Sequence, residues 1–150
     1  MANLDDINRN ILQELERDGR ISNLELAEKV GLSPSACLRR VQELERKNII
    51  SGYRAVINRE VLGSGMTVYA TVSLSTHQKS DMEEFEKAVK YVPEIRECHK
   101  VTGTIEYILR IEVSDLESYK RFHTEILSAA PKVRSIVTHI VMESPKDERA

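Results

Sequence analysis

The spacing of apolar residues changes once along the chain, close to residue 65. Before that point they recur every three or four positions, as in Ile7, Ile11 and Leu15, which is the period of an amphipathic helix. After it they alternate with polar residues over 66–74 and again over 105–113, which is the period of a strand. A chain of 150 residues with this change is expected to contain two small domains of different structural class.

The boundaries follow from the same pattern and from the glycines. We predict a helical domain over residues 1–52, a strand and hinge linker over 53–65, a second domain over 66–142 and a polar tail over 143–150. Residues 53–57 have the composition of a short strand, and Gly63-Ser64-Gly65 is the best candidate for a hinge.

The first domain contains start and stop signals for three short helices. Ser22 and Glu25 have the spacing of a capping box, Gly31 suits a tight turn, and Ser33 is followed by Pro34 at the first position of the third helix. Three helices with such a turn between the last two are typical of a helix-turn-helix, in which the third helix lies in the major groove of DNA.

The second domain contains two similar halves. Residues 93–96 and 131–134 share the pattern Pro-x-aliphatic-Arg, and each stretch lies between a helix and a strand. Capping boxes are predicted at residues 80–83 and 114–117, and the strands at 66–74, 95–102, 105–113 and 133–141. The order β-α-β-β-α-β predicts a ferredoxin-like sandwich, so the whole chain is α+β.

The helices of this sandwich have predicted inward faces. The first buries Phe85, Val89 and Val92, and the second buries Tyr119, Phe122 and Ile126. Two helices cover one face of a four-stranded sheet, so the other face is expected to form a homodimer.

The exposed side of the third helix is the candidate DNA interface. It comprises Ser33, Pro34, Ser35, Ala36, Leu38, Arg39, Arg40 and Gln42. Between Ser33 and Arg59 the basic residues Arg39, Arg40, Arg46, Lys47, Arg54 and Arg59 outnumber Glu43 and Glu45, although the chain has a net charge of -2. Two alternatives remain open: an ordinary helical bundle that serves assembly alone, and an Arg40 paired with a Glu on the helix surface.

Composition and motifs narrow the function classes. No apolar run has the length of a membrane span, and the N-terminus has no signal-peptide pattern. Cys37 and Cys98 stand alone, which favours a reducing cytoplasm over a disulfide scaffold or a cysteine zinc site. The four His residues have no metal-pair spacing and the common catalytic motifs are missing, so we expect neither enzyme activity nor a metal or cofactor.

Residues 4–12, 19–41, 50–55, 97–103, 107–109 and 138–142 resemble motifs of the Lrp/AsnC family of transcriptional regulators, which carry a helix-turn-helix and a RAM domain. The resemblance implies a sequence-specific DNA-binding protein that reads palindromic half-sites in double-stranded DNA, dimerises and assembles further, commonly into octamers. It also implies an amino acid or related metabolite bound between dimers. The matching residues here are Val101, Thr102, Gly103, Thr104, Glu106 and Thr138.

The chain departs from the family pattern at four places. Asn8 stands where Asp is usual, Thr104 and Glu106 each replace an Asp, and Ile136 stands where Thr is common. The predicted pocket therefore offers fewer partners for the ammonium and the carboxylate of an amino acid. Two outcomes stay open: a different effector, or a pocket that is altered or lost. Glu106 also has an alternative interpretation as an exposed strand carboxylate that balances Arg110.

One enzyme class remains as a rival, because siroheme decarboxylase subunits resemble this family. The complete helix-turn-helix signature favours DNA binding instead.

Overall fold

The computed structural model of the chain describes residues 4–58, 61–63 and 65–146. The chain divides into two compact units between Val56 and Ile57, a position inside the linker predicted over 53–65. Arg59 and Ser64, which belong to the predicted basic cluster and hinge, lie outside the described residues.

The N-terminal unit contains three helices, and its capping residues are those predicted. The helices are α1 (Asp6–Arg17), α2 (Asn23–Lys29) and α3 (Pro34–Arg46). Ser22 and Glu25 form both bonds of the capping box on α2, and the Ser33 side chain accepts from the backbone N–H of Ala36 at the start of α3. Gly31 has a φ of 69°, which explains the glycine in the turn between the two helices.

A small apolar core joins the three helices. Its buried members are Ile11, Leu26, Ala27, Cys37 and Leu44. Ala27 is 1% exposed, as expected for a small residue where helices approach closely. The core therefore holds α3 with one side fixed inward and the other side free.

The strand predicted over residues 53–57 is not formed. Residues 51–58 have neither helical nor strand structure and are exposed. A strand requires a neighbour to which its backbone can hydrogen bond, and no described residue pairs with this segment.

The C-terminal unit has the predicted β-α-β-β-α-β order. Its elements are β1 (Met66–Leu74), α4 (Lys79–Val89), β2 (Ile95–Lys100), β3 (Tyr107–Val113), α5 (Leu116–Phe122) with a following π-helical turn (His123–Leu127), and β4 (Val133–Ile140). The strands are antiparallel in the order β2-β3-β1-β4.

The two faces of this sheet differ. Val68, Ala70 and Val72 of β1 are fully buried, and their neighbours on β3 and β4 lie on the same face, which packs against the helices. Tyr69 and Thr71 lie on the opposite face, which no helix of residues 65–146 covers. This second surface, called the open face below, also includes Ile108, Arg110 and Val137.

Both capping boxes predicted in this unit are wrong. Helix α4 begins at Lys79 after Gln78, which makes no side-chain cap, and the carboxylate of Asp81 instead accepts from the Thr76 hydroxyl. At α5 the cap is Asp115, whose carboxylate accepts from the backbone N–H of Ser118 at 2.7 Å. An ionised carboxylate is a stronger acceptor than a serine hydroxyl, which explains the shift of the cap from Ser114.

The prediction for the inward face of the second helix of this unit is wrong at its last position. Tyr119 and Phe122 are buried as predicted, but Ile126 is 37% exposed and Leu127 is fully buried. The π-helical turn at His123–Leu127 contains one extra residue per turn, which moves the buried position by one residue.

Candidate DNA interface and ligand site

The exposed side of α3 is mostly polar, and Leu38 is its large apolar side chain. Ser35, Leu38, Arg39 and Gln42 are exposed, whereas Cys37 and Leu44 on the opposite side are buried. Among the other predicted residues, Ser33 and Pro34 are exposed at the start of α3 and Ala36 is half-buried. The start of α3 is also fixed from α2, since the Asn23 side-chain amide donates to the Pro34 carbonyl at 2.9 Å.

Arg40 is occupied by contacts with α1. Its Nη1 lies 2.7 Å from Asp5 Oδ2 and donates to Asn8 Oδ1 at 3.0 Å. The hydrogen bond from Arg40 is the main reason that the pKa of Asp5 lies below its usual range. Arg40 thus pairs with the first helix rather than with a Glu of its own helix, which corrects the alternative considered from the sequence.

Arg39 has different surroundings from Arg40. It is exposed, and its guanidinium has no hydrogen bond or ion pair with any described residue. Arg46 and Lys47 both contact Glu43, at 2.6 and 3.1 Å, and their hydrogen bonds lower the pKa of Glu43 to about 2. The positive charge predicted for this region is therefore partly neutralised at the end of α3 and free at Arg39.

The loop between β2 and β3 holds five of the six predicted effector residues. Both strands are shorter than predicted, which leaves residues 101–106 as a loop closed by a 2.9 Å bond from the Val101 N–H to the Glu106 carbonyl. Gly103 has a φ of 127°, a conformation that side chains disfavour, and Thr102 and Thr104 are exposed beside it.

Glu106 is buried, contrary to its alternative interpretation as an exposed strand residue. Its side chain is 7% exposed; Oε2 accepts from the Leu74 N–H at 2.7 Å and Oε1 lies 2.9 Å from Nδ1 of His77. Arg110 pairs instead with Glu97 and Glu112, at 2.7 and 2.5 Å. The Glu106 carboxylate therefore secures the end of β1, and the exposed His77 side chain covers its remaining oxygen.

Thr138 lies apart from this loop. It is opposite Ala70 on β4, which β1 separates from β3, and its hydroxyl is 2.6 Å from the hydroxyl of Tyr119. One chain therefore brings residues 101–106 together but does not add Thr138 to them.

The sequence reasoning missed four residues that shape these sites. Asp5 and Asn8 hold Arg40, His77 covers Glu106, and Tyr119 engages Thr138. Only Asn8 carried a signal, because it occupies a position where the family usually has an acid. The other partners depend on contacts between elements that are distant in sequence.

A helix-turn-helix whose third helix carries an exposed arginine with no partner among the described residues, followed by a β-α-β-β-α-β unit, is typical of a DNA-binding regulator with a second, regulatory domain. Family models agree with this class: residues 4–51 match "Winged helix-turn-helix DNA-binding" and residues 67–150 match "Lrp/AsnC ligand binding domain". The chain belongs to the Lrp/AsnC family and is a DNA-binding regulator of transcription with a ligand-binding domain.

Individual relatives support this assignment over almost the whole chain. The leucine-responsive regulatory proteins of Klebsiella pneumoniae and Escherichia coli K12 are 43% identical over 143 residues, which is 95% of this chain and 87% of theirs. A transcriptional regulator of Neisseria meningitidis, solved in complex with L-methionine, is 32% identical with a TM-score of 0.92, covering 97% of this chain and 94% of its own. An AsnC family regulator of Agrobacterium tumefaciens is 28% identical with a TM-score of 0.90, covering 96% and 94%.

In the part of the chain that the structure describes, no helix is both long and apolar enough to cross a membrane.

Proposed function

We propose that α3 enters the major groove of double-stranded DNA and that its free side makes the specific contacts. The contacting residues are Ser33, Pro34, Ser35, Ala36, Leu38, Arg39 and Gln42. Arg40 is assigned a positioning role, because its guanidinium is already engaged by Asp5 and Asn8. The guanidinium of Arg39 is exposed and has no partner in the described part of the chain, and this observation carries the proposal, since such a cation beside an exposed helix face suits a phosphate or a guanine edge.

Replacement of Arg39 tests the placement of α3. We expect Arg39→Ala to weaken binding to a duplex selected by the wild-type protein and to reduce the salt dependence by about one counterion per protomer. Arg9→Ala is the matched control, because Arg9 is an exposed arginine on α1 that pairs with Asp6. Equal affinity and equal salt slope for Arg39→Ala and wild type would exclude α3 from the groove.

The open face is proposed as the dimer interface. Val137 is 53% exposed there; Tyr69 and Thr71 lie beside it on β1, and Ile108 lies beyond them on β3. A second copy packed on the same face would remove this apolar surface from water, and a two-fold axis would place two copies of α3 on the two halves of a palindrome. Further assembly of dimers, up to an octamer, is proposed from the family alone.

The effector is proposed to be an amino acid or a related metabolite bound near residues 101–106, with Thr138 contributed from elsewhere in the assembly. The complex of the Neisseria meningitidis regulator with L-methionine supports this class of ligand. In this chain an ammonium group that approaches Glu106 must displace His77, because that imidazole covers the free carboxylate oxygen. Binding would then shift the assembly equilibrium and with it the affinity for DNA.

A thermal-shift panel of amino acids and keto acids tests the effector. A ligand at a hundred times its dissociation constant stabilises the folded state by about 2.7 kcal/mol. We expect one compound to raise the thermal midpoint of the wild-type protein, and His77→Ala to show a larger shift at the same concentration. A panel without any shift would contradict an effector of this class.

The chain is proposed to act by binding and assembly rather than by catalysis. Its relatives of known name are regulators of transcription. Since its target is DNA, we assign its place of action to the cytoplasm, with no role at a membrane.

A further inference from the structure

One apolar side chain interrupts the polar side of α3. Within this helix, every residue of which is described, Leu38 is the large apolar side chain that is exposed, at 47%. Ser35 precedes it by three positions and Gln42 follows it by four, so all three lie next to one another on the helix surface. Arg39, with its unpaired guanidinium, is adjacent in sequence.

The core of the N-terminal unit does not account for Leu38. Cys37 and Leu44 are buried from the other side of the helix, and Val41 is half-buried beside them. Leu38 does not belong to that cluster. Leu38 is therefore not one of the side chains on which that core depends, and its exposed part is available to contact another molecule.

The major groove contains one apolar group to which such a side chain can bind. Of the four bases, thymine alone carries a C5-methyl there, while the other groups on the base edges donate or accept hydrogen bonds. Ser35, Arg39 and Gln42 can satisfy donors and acceptors, but none of them offers a purely apolar surface to a methyl. Leu38 complements them because its side chain has only methyl and methylene groups.

We propose that Leu38 selects thymine at one position of each half-site by packing against its C5-methyl group. The inference rests on the proposed placement of α3 in the major groove and specifies one of the base contacts made there. The polar residues around it fix the register of the helix, and Leu38 contributes specificity through removal of the methyl from water.

Replacement of thymine by uracil tests the contact directly, because it removes the methyl and keeps every hydrogen-bonding group. The duplex is the palindromic site that the full-length wild-type protein selects from random sequence, with thymines replaced one position at a time in both half-sites. We expect one position at which uracil weakens binding of the wild type roughly fourfold per half-site, hence about fifteenfold for the dimer. At that position Leu38→Ala should bind the thymine and uracil duplexes equally.

Leu24→Ala is the matched control. Leu24 is 67% exposed on α2, so its replacement also removes an exposed leucine from the same unit. This variant should keep the full sensitivity to uracil. Circular dichroism and sedimentation of both variants should match the wild type, because neither side chain is buried.

The possible failures can be distinguished. If the wild type selects no sequence at all, the proposed placement of α3 fails and the inference about Leu38 fails with it. A second failure is that the wild type binds its site, but at every position the replacement of thymine by uracil weakens the wild type and Leu38→Ala equally. That result excludes only the thymine contact. If Leu38→Ala instead changes the sedimentation of the DNA-free protein and leaves uracil sensitivity intact, Leu38 contacts another protein chain and the inference is overturned.

Discussion

Arg39 and Arg40 are neighbours in sequence, but their guanidinium groups meet different surroundings. Arg40 has 32% of its side chain exposed and is bound by the start of α1, whereas Arg39 extends into solvent without a partner among the described residues. Their α-carbons differ by one step along the helix, which is a rotation of about 100°. At the residue scale, that rotation separates a side chain that positions the helix from one that is available to DNA.

The first prediction concerns Arg40→Ala. Its loss removes the ion pair to Asp5 and the hydrogen bond to Asn8, so we expect a lower thermal midpoint at neutral pH, while Arg39→Ala leaves the midpoint unchanged. Because the pKa of Asp5 is lowered in the folded state, this stabilisation is complete above the usual pKa of an aspartate and is lost as pH falls below about 4. The difference in thermal midpoint between wild type and variant should therefore shrink as the pH is lowered from 7 to 3, and the part that comes from the bond to Asn8 should remain.

The second prediction concerns the buried carboxylate of Glu106. Glu106→Ala leaves the Leu74 N–H without an acceptor in a buried position, which costs about 1–3 kcal/mol of unfolding free energy. Glu106→Gln keeps an oxygen for that N–H and should lose less. Urea denaturation at fixed protein concentration measures both, and equal losses in the two variants would show that the contact with His77 matters more than the bond to Leu74.

At the scale of elements, local signals located most helices and strands but not all of their ends. The predicted caps at Ser22 and Ser33 agree with the structure. Each serine hydroxyl accepts from the backbone N–H three positions later, and no carboxylate takes that bond instead. Asp81 and Asp115 lie one position after the serines predicted as caps, and their carboxylates form the bonds that are made there. The π-helical turn after α5 had no recognisable sequence pattern, so the phase of the last buried positions could not be predicted.

The third prediction tests that phase. Leu127→Ala should lower the unfolding free energy by about 2–5 kcal/mol, because the side chain is fully buried against the sheet. Ile126→Ala should cost about 1 kcal/mol or less, since Ile126 is 37% exposed. A regular α-helix through residues 123–127 would reverse this order, so the ranking of the two variants in urea denaturation decides between the two geometries.

At the scale of the molecule, the sequence predicts those features that depend only on contacts within one chain. The α+β class and the order of the elements agree with the prediction, since both follow from the hydrophobic pattern. The strand predicted over 53–57 is different, because it has strand composition but no neighbour within the chain. The predicted effector residues show the same limit: Thr138 lies on β4 and the loop at 101–106 precedes β3, so the proposed pocket would take Thr138 from a second copy.

The last prediction joins assembly to DNA binding. Val137 is 53% exposed on the open face, and Val137→Glu places a charge there that the proposed dimer would have to remove from water. We expect the variant to sediment as a smaller species than wild type at micromolar concentration. Leu116→Glu is the control, because Leu116 is 61% exposed at the start of α5, on the helical side of the sheet.

The same variant separates assembly from contact with the bases. A dimer gains affinity from two linked half-sites, so wild type should bind the full palindrome far more tightly than a single half-site. Val137→Glu should lose most of that ratio and keep its half-site affinity, because α3 belongs to the other unit and is unchanged. If Val137→Glu retains both the sedimentation coefficient and the ratio of the wild type, the open face is not the dimer interface, and pairing of the two helices on a palindrome must depend on another surface.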